Sequence, residues 1–152
     1  MAMKVYHGSN MVIEYPKVQT TGFFKDFGFG FYCTVLEKQA QRWAANKTPA
    51  HIVNVYEYKE IAGLQILRFK ELTDEWLDFI AFCRKGVPHT YDLVEGPMAD
   101  DSVWNYVEDF LSGSISREAF WALAKFKYPT HQIVFCSDKA IESLTYEKSY
   151  EL

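Results

Sequence analysis

The sequence predicts an α+β fold in a single domain, and three observations carry that prediction. Short apolar and aromatic runs stand near both ends of the chain, at residues 3–7, 29–34 and 133–135. Apolar residues at helical spacing are concentrated between them, from residue 73 to residue 126. Within 152 residues there is no repeat, low-complexity tract or Ser/Gly/Pro linker, so 1–152 reads as one domain.

Each element follows in order. Residues 3–7 read as a first strand, left through Gly8-Ser9-Asn10. Residues 12–15 read as a second extended piece, stopped by Pro16. Residues 29–34 are apolar and aromatic, a buried strand approached through a bend at Gly28 and Gly30. Leu36, Ala40, Trp43, Ala44 and Lys47 then follow helical spacing, and that helix ends before Pro49. Residues 52–58 and 64–69 are strands separated by a turn at Ala62-Gly63. The best-marked helix covers 73–85. Thr73 caps it, Asp74 and Glu75 occupy its first turn, Arg84 and Lys85 its last, and Gly86 follows. Its apolar face is Trp76, Leu77, Ile80 and Cys83.

Residues 91–94 read as a strand ended by Gly96-Pro97, and 102–111 and 116–126 as helices that each open on a serine. An apolar strand at 133–135, a short helix at 138–144 and a closing strand at 145–147 complete the chain. Trp76, Trp104 and Trp121 are assigned to the core.

Aromatic residues make up 17%, which lets so small a domain bury a real core. The net charge of −4 argues against a general electrostatic grip on nucleic acid, although it leaves room for a local basic groove. Cys33, Cys83 and Cys136 are odd in number, widely spaced and without a CxxC pair, which fits a reducing compartment. No run of 18 apolar residues exists, so no membrane span is expected, and the first residues lack the apolar stretch of a signal peptide. A cytoplasmic location is expected.

Several motifs fail on inspection. Gly28-Phe29-Gly30 lacks the third glycine and leads into a strand where a dinucleotide loop needs a helix. Asp26-Phe27-Gly28 has no accompanying His-Arg-Asp loop. None of His7, His51, His89 and His131 lies three or four residues from another histidine or a cysteine, so no metal site is expected.

Three elements remain: Tyr6-His7-Gly8-Ser9, Gly28-Phe29-Gly30-Phe31-Tyr32-Cys33-Thr34 and His131-Gln132-Ile133-Val134-Phe135. In this order they resemble the diphtheria-toxin-like ADP-ribosyltransferase superfamily with its His–Tyr–Glu signature. The chain as a whole resembles a bacterial family of unknown function within that superfamily. That likeness extends to Lys25-Asp26-Phe27-Gly28, to residues 39–44 and to residues 91–101.

The resemblance implies a split β-sheet with a helical middle segment, NAD as the substrate, and His7, Tyr32 and Gln132 as the catalytic set. His7 would hydrogen-bond a ribose hydroxyl, Gly8 would let the backbone read the nicotinamide amide, and Tyr32 would stack on the nicotinamide ring. Ser9, Asn10, Gly30 and Asp26 would complete the NAD site. The nicotinamide of NAD is already a good leaving group, so catalysis consists of holding a strained pose and stabilising the positive charge that develops on the ribose.

Gln132 stands where the signature has Glu, and an amide brings no charge. At ~4 Å and an effective dielectric of ~20 one charge is worth about 4 kcal/mol, a loss of up to roughly a thousandfold in rate. A slow enzyme, a substitute carboxylate among Asp26, Asp92, Asp100 and Asp101, and a silent binding module are the three consequences. The expected function is mono-ADP-ribosyl transfer to a protein or nucleic-acid acceptor. NAD glycohydrolysis and a catalytically silent interaction module are the alternatives. The resemblance also implies a toxin held in check by a small antitoxin-like protein partner.

Overall fold

The computed structural model describes residues 2–22, 25–99, 103–124 and 129–152. Its strands are β1 (Ala2–Ser9), β2 (Phe31–Cys33), β3 (Ile52–Lys59), β4 (Ile66–Arg68), β5 (Leu93–Gly96), β6 (Gln132–Phe135) and β7 (Leu144–Glu151). Its helices are α1 (Glu37–Ala45), α2 (Asp74–Arg84), α3 (Trp104–Leu111), α4 (Arg117–Leu123) and α5 (Asp138–Ile141). The fold is α+β, as expected.

Among the described residues two open sheets form, one ordered β1-β3-β7 and the other β2-β6-β5-β4, and of their strand pairs only β4–β5 is parallel. Among the described residues a single bridge ties the sheets together: the Tyr6 N–H donates to Thr34 O at 2.8 Å and the Thr34 N–H to Tyr6 O at 2.9 Å.

Strand alternation sorts the side chains into layers. Val5, Phe31, Cys33, Tyr56, Tyr58, Leu93, Ile133 and Phe135 fill the space between the sheets. Val53 and Val55 face the other way, against Ala40 and Ala44 of α1. On the far side of the second sheet, Val94 and Val134 pack against Trp76, Leu77 and Ile80 of α2, Val107 of α3 and Phe120 of α4. The same alternation that sends Phe31 and Ile133 between the sheets turns their neighbours Tyr32 and Gln132 to that helical side.

Helix α2 matches its prediction closely. The Trp76 N–H donates to Thr73 Oγ1 at 3.3 Å, Trp76, Leu77, Ile80 and Cys83 are buried, and Gly86 follows at φ +86°. Trp104 and Trp121 are half-buried, partly exposed at the edge of the helical layer. Ser116 caps α4 by accepting from the Ala119 N–H. Ser102 and Phe126, the expected start of α3 and end of α4, lie outside the described residues.

Three expectations need correction. The second extended piece, residues 12–15, joins no sheet and bends at 14–15: the Ile13 N–H donates to Asn54 Oδ1, Asn54 Nδ2 to Met11 O and Tyr56 Oη to Ile13 O. Side chains of β3 satisfy this backbone in place of a ladder. The strand expected at 91–94 sits two residues later, because Asp92 is spent on the loop, its carboxylate accepting from the Gln65 N–H and Ser137 Oγ. The last helix stops at Ile141, and β7 runs eight residues from Leu144, paired along β3 with a register shift between Val55 and Tyr56.

All three cysteines are free. Burial pushes the Cys83 and Cys136 thiols up to about 12, consistent with their use as apolar residues. No helix among the described residues is long and apolar enough to cross a membrane.

Candidate functional site

Beside the bridge between the two sheets lies a cleft of about 380 Å³. It is lined by His7 and Gly8 from β1, Tyr32 from β2, Gln132 from β6, Trp43 from α1, Arg84 from α2, and Lys25, Asp26, Asn46, Lys47, Met98 and Ala99 from the connecting segments.

His7 Nδ1 lies 2.6 Å from Tyr32 O, and the ring stacks on Phe31 at 4.2 Å and 26°. A carbonyl oxygen only accepts, so the proton sits on Nδ1 and Nε2 is left as an acceptor. Burial lowers the His7 pKa to about 4. The bond to Tyr32 opposes that shift, and the nearby Lys25 and Lys47 charges add to it. At neutral pH the cleft therefore holds an uncharged imidazole.

Tyr32 is fixed by its own hydroxyl. Oη donates to Gly28 O at 2.6 Å and accepts from the Phe27 N–H at 3.0 Å. Burial, with the Asp26 charge behind it, pushes the phenol well above its ordinary range. The Lys25 ammonium stands 4.9 Å from the ring centroid.

Gln132 is buried and tied to a buried carboxylate. Its Nε2 donates to Asp26 Oδ2 at 3.2 Å and to Pro97 O at 3.4 Å. Both partners are acceptors, which fixes the amide orientation and leaves Oε1 for the cleft. The other Asp26 contacts are the Ala99 N–H on Oδ2 at 2.8 Å, Arg84 Nε on Oδ1 at 2.8 Å, and Arg84 Nη2 on Oδ1.

The entry to β6 is held just as firmly. Gln39 of α1 donates to His131 O and accepts from the His131 N–H at 3.2 Å. The His131 ring accepts from the Val35 N–H at Nδ1 and donates from Nε2 to Glu95 at 2.8 Å.

The sequence model of a protein family of unknown function, DUF3990, matches residues 3–146. The chain belongs to that family. No curated protein and no solved structure matches it.

In this DUF3990 chain five of the expected site residues, His7, Gly8, Asp26, Tyr32 and Gln132, converge on one cleft. Ser9, Asn10 and Gly30 do not line it. Ser9 is buried with Oγ near the Met11 N–H, and Asn10 donates to Thr48 O at 2.9 Å, tying the loop to the end of α1. Gly30 lies against β6, where a Cβ would stand 2.6 Å from Val134 Cγ1 and 2.8 Å from Phe135 O.

Of the two candidate carboxylates among the described residues, Asp26 and Asp92, Asp26 lines the cleft. Asp92 is occupied by the loop contacts already described, and Asp100 and Asp101 lie outside the described residues. Among the described residues no three His, Cys, Asp or Glu side chains gather where a metal ion would fit.

Lys47 and Arg84 were not expected at the site. Helix-end charge accounts for Arg84 in the sequence, and nothing local marks Lys47. Lys25 and Gln39 fall within the stretches that carry the family likeness, the one signal that points to them.

Proposed function

We propose that the cleft binds NAD and that the protein is a mono-ADP-ribosyltransferase acting on a macromolecular acceptor. The observation that carries this reading is the convergence of His7, Tyr32 and Gln132, from three separate strands, on one cleft where two sheets meet.

The chemistry fits what those side chains offer. Neutral His7 Nε2 and Gln132 Oε1 are acceptors suited to ribose hydroxyls, and the Tyr32 ring is a face for nicotinamide. The bond from ribose C1 to nicotinamide breaks with its electron pair leaving on the pyridine nitrogen. An acceptor nucleophile then bonds to C1 and releases its proton to water.

Asp26 does not replace the missing glutamate charge, because Arg84 pairs with it. The Gln132 amide dipole, oriented by Asp26, supports the developing cation instead, and turnover is slow for that reason.

The test is mass-spectrometric detection of nicotinamide released from NAD by wild type and Tyr32→Ala, with and without bacterial lysate. Release that needs both lysate and Tyr32 supports transfer, and release without lysate makes water the acceptor. A second reading, a silent NAD-binding module, is favoured by the Asp26–Arg84 pair. It predicts NAD binding by calorimetry with no nicotinamide released in either condition. Restraint by a small protein partner belongs to the transferase reading and predicts growth arrest on expression, relieved by Tyr32→Ala.

A further inference from the structure

Lys25, Lys47 and Arg84 line one cleft of a chain whose net charge is −4. Arg84 is paired with Asp26. Among the described residues neither Lys25 nor Lys47 meets a carboxylate at ion-pair distance. After burial, Lys47 and then Arg84 are what disfavour the Lys25 ammonium, and both lysines disfavour a charge on His7.

Gathering like charges in a concave site raises the free energy of the empty protein unless something of opposite sign comes between them. Lys25 finds part of its compensation over the Tyr32 ring, a contact that an anion would outbid.

We propose that Lys25 and Lys47 form a diphosphate-binding subsite in the cleft, and that Lys25 leaves the Tyr32 face when the diphosphate binds. The identity of the whole ligand rests on the NAD reading above. In NAD the diphosphate is joined through one methylene to the ribose that His7 and Gln132 would contact, and both lysines line that same cleft, near enough for their charges to act on His7. Departure of Lys25 also uncovers the aromatic face for a cationic nicotinamide, which the ammonium otherwise repels. Anion binding and ring stacking are thereby coupled through one side chain.

Calorimetry with ADP, NAD and nicotinamide riboside tests this on wild type, Lys25→Gln, Lys47→Gln and the control Lys38→Gln, an exposed residue of α1 outside the cleft. Each cleft substitution is expected to weaken ADP and NAD by about tenfold or more and to flatten the salt dependence of ADP binding. Lys38→Gln leaves both unchanged, and nicotinamide riboside binds Lys25→Gln at least as tightly as wild type. ADP binding that depends on the lysines, with no binding of NAD or nicotinamide riboside, upholds the subsite and overturns the NAD reading. NAD bound equally by wild type and both cleft variants, or no ADP binding to wild type, overturns the subsite and leaves the NAD reading to nicotinamide release.

Discussion

Gln132 donates its side-chain amide to Asp26 Oδ2 across 3.2 Å, in a position where both groups are buried. The amide is matched to its surroundings. Its nitrogen faces a carboxylate and the Pro97 carbonyl, both of which a glutamate at the same place would repel. Asp26 and the Pro97 carbonyl thus match an amide at 132 from two distant parts of the chain.

Gln132→Glu is therefore expected to destabilise the protein and not to accelerate nicotinamide release. The new carboxyl, buried beside Asp26, takes a folded-state pKa above its unfolded one. The native state then binds more protons than the unfolded state, so stability is lost as pH rises through that window. A loss of about 1–3 kcal/mol at pH 8 that shrinks toward pH 5 is the expected size. Urea denaturation at both values checks it, and a variant as stable as wild type at pH 8 with faster release would sink the pairing.

His7 makes wild-type stability depend on pH in the acid range. Its pKa is lowered to about 4 in the fold, against about 6.5 in the unfolded chain. Between those values the unfolded state holds more protons, so stability falls as pH drops from 6.5 and reaches its full loss near 4. The total is on the order of 3 kcal/mol. Subtracting the profile of His7→Asn from that of wild type isolates this contribution, and parallel profiles would mean the imidazole is not held neutral.

Much of this architecture is legible locally. Helix α2 carries its cap, its apolar face and its terminal glycine within a few residues, and β1, β2 and β6 are marked by apolar alternation around His7, Tyr32 and Gln132. What is not legible depends on distant partners. Residues 12–15 look extended, but the chain bends at 14–15, and the hydrogen bonds of Ile13 go to Asn54 and Tyr56 more than forty residues on. Arg84 has a sufficient local explanation as a helix-end charge, which hides its reach to Asp26, 58 residues away. Asp26 stands in the sequence as a possible charge donor, and only its partners reveal that the charge is already taken.

The stacking role proposed for the Tyr32 ring can be tested apart from the bonds its hydroxyl makes, which one alanine substitution would remove together. Tyr32→Phe keeps the aromatic face but loses the bonds to Gly28 O and the Phe27 N–H, at an expected cost of about 1–3 kcal/mol. NAD affinity in that variant is expected to stay within a few-fold of wild type, whereas Tyr32→Ala loses it. Thermal denaturation and calorimetry on both variants check the split. Equal loss of affinity in the two would assign binding to the hydroxyl and remove the stacking role.

Gly8 is needed first by helix α1. A Cβ there would collide with Ala40 O, stand 2.6 Å from Ala44 N and 2.8 Å from Trp43 Cβ. Two of those three are main-chain atoms, which cannot rotate aside, so Gly8→Ala must push α1 off β1. The expected cost is about 1–3 kcal/mol. Trp43, Asn46 and Lys47 move with that helix and its exit, and all three line the cleft. NAD affinity should therefore fall further in Gly8→Ala than in Val107→Ala, a cavity variant in the helical layer of comparable expected cost. Matched affinities in two equally destabilised variants would mean that α1 does not position the cleft wall, and Gly8 would be a packing residue alone.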